Sequence, residues 1–407
     1  MREKFSPEQK NVLGASALLY TAAYINRLNL SAALGGIMDA LAFDAGRAGL
    51  LQTAFAVTYA LGQLINGALV DRLNPVRHML LGLAGSALCN LLLGASAGDG
   101  WMVFLCACNG AFQSMLWTPI VRLLALHFTT QKSRERANML VTATLVAGHF
   151  AAWLIAGYLS GLFSWRHSFI VPALVAVPVL FGASFMLRGV RTGRAERVQD
   201  AQPRAGKPAL PLFLASGLVL LLVASVLYGF VRDGIITWAP QLLSAAGDSA
   251  VSGATVSLLI PLINALGLWA GYALLKRGRT HNRHLVAYMM LAAGVFCLPL
   301  MAVTALLPMA LLMGCACACL YGLNPILTGL VPLEYDRAGR VGLSAGLIDS
   351  CIYVGSALAG LLGGRVYAAY GSRALFISWI ALSALAFVLA WASGRRRYLA
   401  ALEGAGE

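Results

Sequence analysis

Residues 212–243 read LFLASGLVLLLVASVLYGFVRDGIITWAPQLL, and residues 12–34 read VLGASALLYTAAYINRLNLSAAL. Each run is long enough to cross a bilayer, for which about 20 apolar residues suffice. Each also carries an arginine inside it, Arg232 in the first and Arg27 in the second. An arginine near the middle of a membrane helix costs roughly 2.5 to 3.5 kcal/mol on insertion scales and keeps its proton, so it faces a protein interior or an aqueous cavity rather than lipid. Two of them predict an anion.

The rest of the chain has the same character. It is 59% hydrophobic and 11% charged, whereas soluble domains carry about 25% charged residues. Twelve apolar segments of membrane-crossing length begin near Val12, Gly49, Met79, Trp101, Arg136, Ser168, Leu212, Val251, His284, Leu306, Gly342 and Ala374. They predict an all-α polytopic membrane protein with twelve transmembrane helices. Met1 to Asn11 is polar and mixed in charge, and no small-residue cleavage site precedes Arg27, so a cleaved signal peptide is not expected.

Lys and Arg accumulate in every second loop, and cytoplasmic loops carry the excess. Of the 30 basic residues, 23 fall on the side that holds both termini, and only Arg47, Arg166, Arg365 and Arg373 on the other. Both termini are therefore expected in the cytoplasm, with the protein a monomer in a bacterial inner membrane. The net charge of +14 is dispersed over these loops, not gathered on one surface, so nucleic acid is not an expected partner. Eight cysteines all lie within the apolar spans; Cys315, Cys317 and Cys319 share no helical face, which argues for small packing residues and against a metal site. No phosphate-binding glycine loop, His-Glu-x-x-His or supported nucleophile and base is present, so neither an enzyme nor an ATP-driven pump is expected, and no cofactor.

The most basic loop, RGVRTGRAERVQDAQPRAGKPALP, separates six spans from six. The expected domains are an N-terminal six-helix bundle over 1–190, a cytoplasmic linker over 191–210 and a C-terminal six-helix bundle over 211–407. In each half the first helix carries an arginine, and a short basic turn follows the second helix, GALVDRLNPVRH or GYALLKRGRTHNRH. Internal duplication of this kind marks transporter folds whose sites lie between the repeats near the bilayer midplane.

Gly67, Asp71, Arg72 and Arg77 in GALVDRLNPVR resemble the loop motif between helices two and three of the major facilitator superfamily. The charges of this motif can pair with one another and with helix ends to latch a cytoplasmic gate. Within that superfamily the chain resembles the organophosphate:phosphate antiporter group, typified by glycerol-3-phosphate and hexose-phosphate transporters. AYINRLNLSAAL supplies Tyr24, Arg27 and Asn29; GFVRDGIITWAP supplies Arg232, Gly234, Trp238 and Pro240. Further matches are Tyr59, Trp117, Pro119, Arg122, Trp165 and Arg166, with Tyr321 in YGLNP and Tyr353 in GLSAGLIDSCIYVG.

The resemblance implies two pseudo-symmetric six-helix bundles with Arg27 and Arg232 jointly holding the anionic group between them. A planar guanidinium suits this, because its fixed fork of donors matches phosphate or carboxylate oxygens. Tyr24, Asn29, Tyr59, Tyr321 and Tyr353 are carried over as substrate-binding candidates. Where the group has a helix-two lysine this chain has Gln63, and where it has a helix-five histidine this chain has Leu145, with His149 one turn later. Gln63 and His149 are therefore added as candidates.

Asp233 and Asp349 lie deep in the spans, and acids in lipid are costly and often functional. Either can carry a proton or serve as a structural counter-ion. Adjacent helical residues point about 100° apart, so sequence neighbourhood does not by itself pair Asp233 with Arg232. The expected function is secondary transport of a small organic anion, an organophosphate exchanged for inorganic phosphate. The alternatives are proton-coupled symport of a carboxylate or sugar acid, or a non-transporting sensor on the same scaffold.

Overall fold

The computed structural model describes residues 5–69, 73–96, 98–128, 130–192, 209–247, 250–277, 280–335, 341–395 and 398. Among them there are helices and turns but no strand. The N-terminal helices are α1 (Pro7–Leu41), α2 (Ala45–Leu69), α3 (Pro75–Ala95), α4 (Asp99–His127), α5 (Gln131–Leu162) and α6 (His167–Met186). Next come α7 (Leu218–Ala246), α8 in two segments (Ala250–Ser257 and Leu259–Lys276), α9 (Asn282–Cys297) and α10 (Leu306–Pro325). After α10 a π turn, Ile326–Leu330, leads into Val331–Leu333. Helix α11 (Val341–Leu358) also ends in a π turn, Ala359–Gly363, and runs on into Gly364–Ser393. That last stretch breaks at Gly371, whose φ of 76° is open to glycine at little cost. Residues 372–393 beyond the break form α12.

Local chemistry sets the helix starts. Ser6 caps α1 with its side chain on the Gln9 amide, Gln9 returns the contact to the Ser6 amide, and Pro7 occupies the first turn. Asn74 caps α3 and Thr130 caps α5. The seventh helix was expected from Leu212, but Ala209–Ala215 is a separate short helix and α7 starts at Leu218. Gly217, at φ 70°, turns the chain between them. Most of the expected 191–210 linker, residues 193–208, lies outside the described residues.

The same helix pairings recur in both halves. In the first, α1 packs on α5, α2 on α4 and α3 on α6; in the second, α7 packs on α11, α8 on α10 and α9 on α12. Between the halves α2 meets α11, α5 meets α8 and α1 meets α7. The outer surface is apolar, with Phe181, Phe185 and Trp269 all more than 70% exposed, while Asn26, Asn29, Asn90, Asn109 and Gln113 are buried. Polar groups inside and large apolar groups outside are what a bilayer solvent demands.

The halves are sealed at the face opposite the chain ends. A Cβ on Gly49 would run into the Gly360 carbonyl, and one on Gly364 into the Ala45 carbonyl, so here backbone packs directly on backbone. Thr53 Oγ1 donates to the Ala357 carbonyl at 2.9 Å, and Gln241 of α7 lies against Gly35 of α1. At the face carrying the chain ends, the second half is locked by Arg283, which is fully buried. Its guanidinium donates to the Ser216 and Ser393 carbonyls at 2.6 and 2.9 Å, to Tyr335 at 3.0 Å and to Glu334 at 2.8 Å. Arg283 of α9 thereby ties the turn before α7, the residues just after Val331–Leu333 and the end of α12, where the sequence suggested only a loop charge.

Candidate functional site

A central cavity of about 60 Å³ lies where the two halves meet, lined by residues of α1, α2, α5, α7, α10 and α11. Arg27 and Arg232 both line it, with Tyr24, Tyr321 and Tyr353. With Asp233, which also lines it, six sequence candidates converge on one cavity. The arginines have unlike surroundings.

Arg27 sits in an aromatic cage. Its guanidinium carbon lies 4.4 Å from the Tyr59 ring centroid, 5.0 Å from that of Tyr24 and 5.4 Å from that of Phe55, distances at which a cation is attracted to a ring face. Nε donates to Gln113 Oε1 at 3.1 Å and Nη1 to the Tyr353 hydroxyl at 3.2 Å. Gln113 is itself fixed, donating to the Ala23 carbonyl and to Ser86 Oγ. No carboxylate among the described residues comes within 4.0 Å of Arg27.

Arg232 holds Asp233 in its fork. Nε and Nη2 donate to Oδ1 and Oδ2 at 2.7 and 2.9 Å. The 100° offset of neighbouring helical positions does not prevent this, because the long arginine side chain curls along the helix to reach its neighbour. Nη1 donates to the Tyr228 hydroxyl at 3.2 Å and to Asn324 Oδ1 at 3.3 Å, and Tyr228 in turn donates to Asn324.

Several candidates stand off the cavity. Asn29 is buried between α1, α3 and α6, donating to Asn90 Oδ1 at 2.7 Å and to the Ser168 carbonyl at 3.0 Å. It is a packing residue, because two helical positions beyond Arg27 point to the opposite side of α1. His149 is also fully buried, set edge-on to Trp153 with Nδ1 3.4 Å from the Tyr321 hydroxyl, while Leu145 lines the cavity in its place. Tyr59 reaches Arg27 through its ring and lies against Tyr353 with the rings tilted by 35° and 4.1 Å between centroids; Gln63 donates to the Tyr59 hydroxyl and accepts from Thr118. Asp349, four residues before Tyr353 on α11, makes no hydrogen bond or ion pair among the described residues. In the gating motif Gly67 lies in the last turn of α2 and Arg77 is exposed at the start of α3, but Asp71 and Arg72 lie outside the described residues.

Gln113, Tyr228 and Asn324 are contacts of the arginines absent from the expected set. Periodicity flags two of them: Tyr228 is four residues before Arg232, and Asn324 three after Tyr321, each on the same helical face. Among the described residues no group of three or more His, Cys, Asp or Glu is placed to hold a metal ion, and the cysteines are free thiols.

This fold and its central cavity between paired bundles define a membrane carrier. The chain belongs to the Major Facilitator Superfamily, whose model matches residues 16–344. Within it the chain is similar to organophosphate:phosphate antiporter-like members. It is 25% identical to the glycerol-3-phosphate transporter of Bacillus subtilis, over 93% of this chain and 91% of that one. It is also 25% identical to the membrane sensor protein UhpC of Salmonella typhimurium, over 86% of this chain and 84% of that one. In fold it superposes on a bacterial homolog of the human lysosomal transporter Spinster, solved in an inward-facing and unoccupied conformation, with a TM-score of 0.74 at 16% identity. That match covers 98% of each chain. The protein is a multi-pass membrane transporter and not an enzyme.

Proposed function

We propose that the protein moves a small organic anion, an organophosphate exchanged for inorganic phosphate, with the anionic group held between Arg27 and Arg232. The single observation that carries this is the convergence of both arginines on one cavity at the junction of the halves. An empty site holds Arg27 without an acidic partner; substrate offsets that charge, draws the halves together and allows the rocking exchange of access. With the termini cytoplasmic in a bacterial inner membrane, the state sealed at the opposite face is the inward-facing one. The similarity to a glycerol-3-phosphate transporter supports the substrate class.

A second reading, proton-coupled symport of a carboxylate or sugar acid, is favoured by Asp349, an intramembrane carboxylate without an ion pair among the described residues. Liposomes containing the purified protein separate the two. Internal phosphate accelerating uptake of labelled glycerol 3-phosphate supports exchange. Uptake of a labelled sugar acid driven by a pH gradient alone, and lost in Asp349→Asn, supports symport. Specific binding without flux identifies a sensor and refutes both.

A further inference from the structure

The two-point pair of Arg232 with Asp233, at 2.7 and 2.9 Å, has the geometry that a substrate carboxylate or phosphate would itself adopt on that guanidinium. The two side chains are only 14% and 13% exposed, so solvent screens the pair weakly. Both residues line the cavity with Arg27. The charged groups on the cavity wall therefore sum to one positive charge: Arg27 stands alone and Arg232 is cancelled by Asp233.

We propose that Asp233 is a specificity-determining residue: by occupying the fork of Arg232 it matches the site to an anion bringing one negative charge. This rests on the organic-anion reading above and adds to it the ionic form that is carried. A phosphate monoester enters with one proton on its phosphoryl group, or a sulfonate, sulfate ester or carboxylate takes its place. A dianion that reaches Arg27 meets the Asp233 carboxylate across Arg232, and unrelieved like-charge approach in a desolvated site is strongly unfavourable. A singly charged group leaves the Arg232–Asp233 pair intact and turns its remaining oxygens to the Tyr228 and Asn324 side chains beside it. Asp349 on α11 also lies within electrostatic reach of both arginines and of Asp233; it is left unchanged in every comparison below.

Two probes of similar shape and different charge test this. Glycerol 3-sulfate carries one charge; at pH 8 glycerol 3-phosphate carries two, because the second pKa of a phosphate monoester is about 6. Binding to purified protein in nanodiscs is measured by calorimetry. The wild type is expected to hold the sulfate at least about tenfold more tightly than the phosphate, and Asp233→Asn to erase or invert that ratio. The double variant Arg232→Gln with Asp233→Asn, which restores a single positive charge and avoids stranding an unpaired Arg232, is expected to recover the preference. Equal or tighter binding of the dianion by the wild type, or an unchanged ratio in Asp233→Asn, overturns the proposal. If Arg27→Ala leaves both probes bound, or the wild type binds neither, it is the organic-anion reading that fails, and the charge match falls with it.

Discussion

The Nη1 of Arg27 donates to the Tyr353 hydroxyl at 3.2 Å, a bond that joins the first helix of one half to the penultimate helix of the other. The Tyr353 ring also packs against Tyr59, which lies over the same guanidinium. The group proposed to bind substrate is thus one that already bridges the moving parts, so occupancy and domain approach are coupled at a single side chain.

Arg27→Lys keeps the charge and loses the fork. Nε no longer meets Gln113 and the flat cation no longer lies on the rings, so uptake efficiency is expected to fall about 100-fold or more. Initial rates in proteoliposomes test this, with a melting curve to show that the variant is folded. Near wild-type flux would refute the role.

Asn29→Ala is expected to act on stability and not on affinity. It leaves Asn90 and the Ser168 carbonyl short of a buried donor, a loss of about 1–3 kcal/mol. Thermal unfolding of the detergent-solubilised protein should fall while the dissociation constant for the transported anion stays within about twofold. A selective loss of affinity would return Asn29 to the binding site.

Gly49→Ala places a methyl group against the Gly360 carbonyl. Overpacking of this kind costs about 1–3 kcal/mol, and here it falls only on the state in which that face is sealed. Hydrogen exchange should quicken in the contacting stretches of α2 and α11 while the buried core of α9 is unaffected. Unchanged exchange would show that the contact does not define the seal.

His281 caps α9 by accepting from the Arg283 amide through Nδ1 at 3.3 Å, which only the neutral ring can do. Burial, then the neighbouring Arg283 and His284 charges, hold its pKa below the usual 6.5, although Glu334 lies 3.9 Å away. A histidine whose folded pKa is lowered takes up protons more readily when unfolded, so its stabilisation is present above the unfolded pKa and is lost as pH falls below about 6.5. The melting temperature is expected to drop between pH 7 and pH 5.5, and less so in His281→Asn, which retains a capping acceptor. An equal drop in the variant would assign the acid sensitivity elsewhere.

What the sequence disclosed follows from how local each signal is. Apolar length and an arginine within each of two spans are local, so the helices and the presence of two buried cations were readable from the residues themselves. Their meeting in one cavity was implied by the internal duplication and the family resemblance. The break at Gly217, inside the run expected to start the seventh helix at Leu212, was missed because hydropathy does not see φ, whereas the one at Gly371 falls just before the expected start of the twelfth span near Ala374. Asn29 was drawn into the site by its match to a family pattern, although helical geometry turns it away from Arg27. Gln113 was passed over because its meaning comes from Ser86 and Ala23 on other helices, contacts that exist only after the bundle has packed. The pairing of Arg232 with Asp233 depended on side-chain reach, which a count of degrees per residue omits.

The two π turns, Ile326–Leu330 and Ala359–Gly363, both fall in the second half, and none occurs among the described residues of the first. A π turn holds one residue more than the regular hydrogen-bond ladder needs, and helices bend at such points. The first bundle is cross-tied by its buried asparagines, whereas in the second the regular ladder is interrupted where α10 and α11 end. Exchange of access between the two faces is then expected to bend α10 and α11 at these turns.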